Sequence, residues 1–430
     1  MAAAQYCHLR IRHLPVIGNM HQLGRGFLHR KLQELARHHG SLFLLRLGTV
    51  PTLEVSSAAM AGEVLKHQDH VFCGRPQQYT ARGPMYGCRD VGFSPYGERW
   101  RQLRRIAVVH LLSVKRVDSF RVLREEEAAS LVARIRTASA PENAGAKRRA
   151  VNVSDLIVSL TYTVVSRAAF GNKLGGMEPQ VFRETTKEVF GLLGTIAVER
   201  HVPTTLVGGL EDGEGLKLDR IDIKGLIFDL FVAGIDTTSK AIEWAVAELI
   251  KNPREMAKVQ EEVRQVAGTQ GVLEEQLGRM SRLQAALKEA MRLHPPVPLL
   301  IPRETIQDTK LQSYDISAKT RVIINAWAIG RDSESWENAE EFLPDRFMHN
   351  TIDYNAKDFR FIPFSAGRRG CPGIAFATRL AELALANLMY HFDWELPEGQ
   401  DVESFEVVES SGLSPALKFG LILVAKPPQA

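Results

Sequence analysis

The segment Phe364–Gly373, FSAGRRGCPG, sets one cysteine, Cys371, among three glycines, two arginines and a proline. An apolar stretch with helical spacing, IAFATRLAELALANLMYHF, follows at once. Gly367, Gly370 and Gly373 permit backbone angles and close approaches that a Cβ would forbid, so amides around the sulfur can turn toward it. Arg368, Arg369 and the N-terminus of the following helix favour thiolate over thiol. A thiolate so held is a soft ligand suited to iron. A glycine-rich turn around a buried structural cysteine has the same residues, and the loop alone does not separate the two readings.

Three other groups of residues have chemistry-bearing types at suggestive spacing. Ala233-Gly234-Ile235-Asp236-Thr237-Thr238 interrupts a long helical pattern. Glycine there costs about 1 kcal/mol against alanine. Either the helix tolerates a kink, or glycine opens a groove in which Asp236 and Thr237 supply protons to a ligand. Glu289 and Arg292 stand three apart on one helix face, which by itself describes an ordinary surface pair. Trp100 and Arg104 stand four apart, consistent with a core tryptophan beside a surface arginine, or with a guanidinium fork facing a carboxylate.

Taken together these groups resemble a known family. Phe364, Gly367, Arg369, Cys371 and Gly373 complete the pattern F-x-x-G-x-R-x-C-x-G, which resembles the haem-binding loop of the cytochrome P-450 superfamily. WRQLR, AGIDTT, EAMR, PDRF and FSAGRRGCPG occur in that family's order, and LPVIGN at 14–19 is similar to the plant microsomal type, the 71-like clan. The resemblance implies a haem-thiolate monooxygenase with haem b as cofactor and Cys371 as axial iron ligand. It implies that Asp236 and Thr237 relay protons. Trp100, Arg104 and Arg369 would meet the haem propionates, with Arg303 as a further partner. Glu289, Arg292 and Arg346 of the PDRF stretch would form a buried triad beneath the loop. The implied reaction inserts one oxygen atom from dioxygen into a lipophilic small molecule of plant secondary metabolism. Electrons would come from NADPH through a cytochrome P-450 reductase, received at a basic patch of Arg101, Arg105, Lys115 and Arg116. The pocket is expected to draw on the 77–92 loop, Phe228, Phe231, Val232, Ala233, Val297, Leu299, Leu300 and Ser411–Leu413. A monomer at the cytosolic face of the endoplasmic reticulum membrane is implied, without nucleic acid.

Helical spacing runs over 29–39, 58–67, 117–138, 153–170, 222–250, 253–267 and 283–293, with another start at Ser94-Pro95. A hairpin is expected over 41–57 with its turn at Gly48–Pro51, and short strands between Ile301 and Ile324 with a turn at Tyr314-Asp315. Residues 73–97 read as a long loop of functional type. With no repeats, heptads or separate second core, the expectation is one mainly α domain with a small β portion.

The 430 residues carry 54 Lys and Arg against 50 Asp and Glu, a net charge of +4. That is too little to argue for nucleic acid, although a local basic face can still dock an acidic partner. Cys7, Cys73, Cys88 and Cys371 form no CxxC pair, so a disulfide scaffold or zinc site is not expected. No run reaches the roughly 18 apolar residues of a membrane span. Against the resemblance, residues 1–13 read as a leader in place of the membrane anchor. The glycine-rich stretch 191–220 reads as a shortened form of the region that holds helices over the substrate pocket. Ser365 stands where glycine is commoner. A truncated, catalytically inactive haem-binding relative is therefore the alternative to an active monooxygenase.

Overall fold

The computed structural model describes residues 11–24, 26–143, 146–171, 179–194 and 218–428. Most of the expected leader and most of the 191–220 stretch lie outside the described residues. The described chain is mainly helical with three small sheets. The principal helices are α1 (Leu28–His39), α2 (Glu98–Arg105), α3 (Arg121–Ala138), α4 (Val153–Phe170), α5 (Pro179–Leu193), α6 (Arg220–Lys251), α7 (Pro253–Ala267), α8 (Ser281–Leu293) and α9 (Ile374–His391). Strands β1 (Leu42–Leu47) and β2 (Val50–Val55) form the expected hairpin. Strands β3 to β9 follow at Ala150–Asn152, Arg303–Glu304, Thr309–Leu311, Tyr314–Ile316, Arg321–Ile324, Asp393–Glu395 and Ile422–Lys426. The four-stranded sheet has the order β1-β2-β7-β4, in which β7 runs parallel to β2.

Helix α6 organises the core. Its 32 residues span about 48 Å. Asp219 caps it by accepting from the amides of Ile221 and Asp222, while the Asp222 carboxylate accepts from the Asp219 amide. Asp222 is fully buried and is gripped by Arg99 at 2.6 and 2.7 Å and by Arg89 at 3.0 Å. The start of α6 is thereby tied to α2 and to the loop before it. Ile242, Ala245, Val246 and Leu249 pack into one apolar cluster with Val153, Ile157 and Val164 of α4, Ala286 and Ala290 of α8, and Leu380 and Leu383 of α9. Helix α4 is the one helix among the described residues long and apolar enough to cross a membrane, yet 61% of it is buried within the fold.

Several boundaries differ from the sequence expectation. The helix expected from Ser94-Pro95 begins at Glu98. Residues before it are drawn into a loop, because Asp90 Oδ1 accepts the Phe93 amide at 2.5 Å and Arg369 donates to the Ser94 carbonyl at 2.8 Å. The expected helix over 117–138 is broken between Asp118 and Arg121. There the Val117 carbonyl accepts from the Phe120 amide at 3.1 Å, in a tighter three-residue turn, and from the buried Arg124 side chain at 2.8 Å. Tyr314-Asp315 is not the turn but the start of β6; the reversal falls at Gln312, whose φ is 54°. Inside the 73–97 loop a single helical turn forms over Tyr79–Arg82.

Candidate active site

The Cys371 loop is shaped by one buried carboxylate. Gly367 has φ +69°, and a Cβ there would stand 2.3 Å from the Leu65 carbonyl oxygen and 2.5 Å from Asp69 Oδ1. Only glycine fits that approach. Asp69 then accepts from the Arg368 amide at 2.9 Å, from the Arg368 guanidinium at 2.8 Å and from Arg303 at 2.9 Å. The Gly370 amide bonds to the Gly367 carbonyl and the Cys371 amide to the Phe364 carbonyl, closing the loop on itself. The Gly373 amide donates to Cys371 Sγ at 3.3 Å. Ser365 has φ 58°, a left-handed conformation disfavoured for a non-glycine residue, which accounts for the commoner glycine at this position.

Burial pushes the Cys371 thiol up, while the Gly373 amide and the charge of Arg104 pull it down. Burial is the larger influence, so the bare sulfur holds its proton. A metal cation on it would reverse that balance.

Cys371 opens into a cavity of about 440 Å³. Phe364, Arg369 and Gly373 line it from the loop side, Trp100 and Arg104 from α2, and Thr237 from α6. Asp236 does not line it, and its carboxylate turns to Lys240 at 2.5 Å. The Thr237 hydroxyl donates to the Ala233 carbonyl at 2.5 Å. Neighbouring Thr238 Oγ1 also faces this region, buried and without a hydrogen-bond partner. Gly234 lines the cavity beside Val165, and a Cβ on it would stand 3.4 Å from Val165 Cγ2. Helix α6 nevertheless runs unbroken through it.

Of the guanidinium groups expected at the carboxylates of a cofactor, Arg104 and Arg369 line the cavity and Arg303 does not. Arg303 is committed elsewhere, to Asp69 and the Ala366 carbonyl. Arg75, for which the sequence offered no motif, takes a place in the cavity wall. Among the described residues Arg369 bonds to the carbonyls of Cys73, Val91 and Ser94, and it stacks over Trp100 at 4.2 Å. Arg75 likewise bonds to the carbonyls of Gly92, Ile301 and Pro302. Burial draws Arg369 down to about 9, which leaves it charged at neutral pH. Among the described residues none of the three has a carboxylate within ion-pair distance, although the nearby Asp90 charge acts on both Arg75 and Arg369. Buried cations without a paired carboxylate are costly, so the wall fits a ligand carrying carboxylates beside a metal on the sulfur. Trp100 is not free to join them, since its indole N–H donates to the Val91 carbonyl at 3.1 Å. Removing one unpaired cation gives a direct check. Arg104→Ala is expected to weaken cofactor retention about tenfold with little change in melting temperature, measured as cofactor loss on dilution.

Asp229 of α6 also lines the cavity and was not singled out by its sequence. Its Oδ2 accepts from the amides of Val91 and Gly92 at 2.6 and 3.1 Å, holding the loop against the helix. Burial, then the nearby Asp90 charge, pushes its carboxyl well above the usual range. A lone aspartate in the apolar run LIFDLFVAG was the available signal. Of the expected pocket residues, Met85, Val91 and Gly92 of the 77–92 loop line the cavity, as do Phe231, Val232, Ala233, Val297, Leu300 and Leu413. Phe228 turns to Tyr86 instead, and Leu299 packs beside the β1 and α1 cluster.

Below the loop, Glu289, Arg292 and Arg346 meet. Arg292 pairs with Glu289 through two bonds of 2.7 Å, and Arg346 reaches Glu289 at 3.0 Å. The Glu289 and Arg292 side chains are 0% exposed. Arg292 spends its remaining donors on the carbonyls of Gly330, Ala339 and Glu341. Rings carry this brace to the cysteine loop: Phe347 to Phe361 at 5.1 Å, Phe361 to Tyr354 at 5.6 Å, and Tyr354 to Phe364 at 5.4 Å.

Comparison with known proteins bears on what this arrangement is. The Cytochrome P450 family model matches residues 10–205 and 202–422. Cytochrome P450 71A1 of Persea americana is 43% identical over 464 positions, which cover 95% of this chain and 91% of that one. The phenylacetaldehyde oxime monooxygenase CYP71AN24 of Prunus mume is 41% identical, with 96% and 88% covered. The strychnine-11-hydroxylase of Strychnos nux-vomica is 40% identical, with 96% and 90% covered. A zebra fish cytochrome P450 solved with abiraterone shares the fold at a TM-score of 0.77 and 22% identity, over 94% of this chain and 99% of that one. The chain therefore belongs to the cytochrome P-450 family, in its plant 71-type branch, and is a haem-containing monooxygenase.

Proposed function

We propose that this monooxygenase acts on a lipophilic small molecule of plant secondary metabolism, with Cys371 as the axial ligand of the haem iron and Thr237 and Asp236 delivering protons. The supporting observation is that one cavity gathers the Cys371 sulfur, the Arg75, Arg104 and Arg369 guanidinium groups, none of them ion-paired among the described residues, and the Thr237 hydroxyl. Bound haem supplies the activation of dioxygen. The protein's own residues do the rest. Arg104, Arg369 and Arg75 would hold the haem carboxylates, while the Gly373 amide steadies the sulfur. Thr237 carries a proton at Oγ1 on the cavity wall, with Asp236 behind it on the same turn of α6. The apolar wall from Phe231 to Leu413 excludes water and favours an apolar substrate in the part of the cavity that haem leaves free. The relatives named for strychnine and an aldoxime favour a secondary metabolite.

Thr237→Ala is expected to leave haem bound while product formed per NADPH falls roughly tenfold, the missing electrons appearing as peroxide. Coupling of NADPH use to product that stays at the parental level would count against the proton role.

Electrons would come from an NADPH-dependent reductase docked on the exposed face of Arg105, Lys115 and Arg116. Arg101 is exposed there as well, but it is engaged by Glu98 at 2.7 Å. Attachment to the cytosolic face of the endoplasmic reticulum as a monomer follows the plant relatives of this type. We also infer that the chain between α5 and α6 is shorter than in those relatives. The family model matches in two stretches that meet at residues 202–205, and the alignment to the Persea americana protein runs over 464 positions for a chain of 430 residues. Phe190 and Leu193 of α5 nonetheless line the cavity, and this favours an active enzyme over an inactive haem-binding relative.

A further inference from the structure

Lys240 is an unexpected residue for its place. It lies on the buried face of α6, one turn beyond Asp236, and is only 7% exposed. A lysine rarely gives up its hydration unless its charge and donors are taken up. Here they are. The ammonium donates to Asp236 Oδ2 at 2.5 Å and to the Ser414 carbonyl, and stands 5.3 Å from the Phe190 ring centre. Each of those three partners connects to the cavity. Asp236 adjoins Thr237, which lines it. Ser414 adjoins Leu413, which also lines it. Phe190 lines it and receives the Leu413 amide on its carbonyl at 3.0 Å.

The turn carrying Leu413 is otherwise fastened to the same helix face on its far side. Trp244 donates to the Pro415 carbonyl at 3.2 Å, and Glu243 accepts from the Leu417 amide at 3.3 Å. Those two bonds fix the distal half of the turn. Among the described residues Lys240 alone joins its cavity-facing half to the acid beside Thr237. A ligand pressing on Leu413 therefore acts on the Ser414 carbonyl and, through one ammonium group, on the Asp236 carboxylate.

We propose that Lys240 is a positioning residue for the monooxygenase reaction: it sets the place of the Asp236 carboxylate behind Thr237 and links that place to the seating of substrate against Leu413. The proposal rests on the proton-delivery role assigned above to Asp236 and Thr237. Lys240 touches neither substrate nor haem in this scheme. Removing its charge frees the carboxylate from the turn, so that electrons are accepted as before but protons arrive less faithfully.

The test compares Lys240→Met, Lys240→Arg, Asp236→Asn and the double variant Lys240→Met/Asp236→Asn in the haem-loaded protein, with Thr237→Ala as reference. Product and peroxide formed per NADPH are measured, together with amide hydrogen exchange over residues 409–417. Lys240→Met is expected to lower product per NADPH about fivefold, with peroxide making up the balance, and to speed exchange at the Leu413 amide about tenfold. Lys240→Arg should recover at least half of the coupling. In the Asp236→Asn background Lys240→Met should change coupling no further, because both act through one carboxylate. Where Lys240→Met does not fold, Lys240→Gln, which keeps an N–H donor for Ser414, carries the same comparison. Additive losses in the double variant, or parental coupling in Lys240→Met, overturn the proposal while leaving Thr237 in its role. If Thr237→Ala itself stays fully coupled, the proton-delivery reading falls and the role of Lys240 falls with it.

Discussion

Cys371→Ala is expected to abolish the thiolate-type absorption spectrum of the reduced, carbon monoxide-bound protein and stoichiometric haem retention with it. The expectation is sharp because the sulfur has little structural work. Its one hydrogen bond among the described residues is the 3.3 Å contact from the Gly373 amide, and the loop is closed by backbone bonds at Gly370 and Cys371 that alanine preserves. Loss of the thiol should therefore cost the fold about 1 kcal/mol or less, and the variant should remain helical by circular dichroism. Binding and folding thus separate cleanly. Cys73 and Cys88 are both buried outside the loop, and burial raises each thiol. Neither offers a substitute ligand. A thiolate-type spectrum that survives in Cys371→Ala would sink the assignment of the iron ligand.

Glu289→Ala should have the largest effect on stability. Two opposed magnitudes decide it. As an exposed pair three residues apart, Glu289 and Arg292 would be worth a few tenths of a kcal/mol. With both side chains 0% exposed and Arg346 on the same carboxylate, the substitution instead leaves two guanidinium groups uncompensated in the interior. Breaking such a buried arrangement costs about 3–5 kcal/mol, a large share of the roughly 5–15 kcal/mol that holds a domain together. Urea unfolding of the haem-loaded protein should show a correspondingly lower midpoint and faster haem loss, since the ring series from Phe347 to Phe364 rests on this base. Arg346→Ala should cost less, because its side chain is 12% exposed and one bond to Glu289 is lost. A loss below about 1 kcal/mol for Glu289→Ala would mean that the triad does not brace the loop.

The sequence was informative where the chemistry is local. The glycines around Cys371, the 3.6-residue periodicity of α4 and α6, and the Gly171 stop with its φ of 74° depend on neighbours a few residues away, and each is legible in order along the chain. It was least informative where one side chain serves a distant backbone. Asp69 shapes the cysteine loop from 299 positions away, Arg75 reaches carbonyls 226 and 227 positions off, and Asp229 holds a loop 137 and 138 positions before it. Such residues sit in no motif. Their signal is a charged side chain in an apolar run, and that signal does not name the partner.

The sequence by itself determined a mainly helical chain with a cysteine in a glycine-rich loop ahead of a helix, because backbone propensities and side-chain periodicity act over short range. Only the tertiary structure decided which charges are spent and which remain available. It committed Arg303 to Asp69, left Arg104, Arg369 and Arg75 without an ion pair among the described residues, buried the Glu289 triad and turned Asp236 toward Lys240. The physical reason is that the energy of a charge depends on its solvation and its partners, and both are set by contacts between residues far apart in the chain.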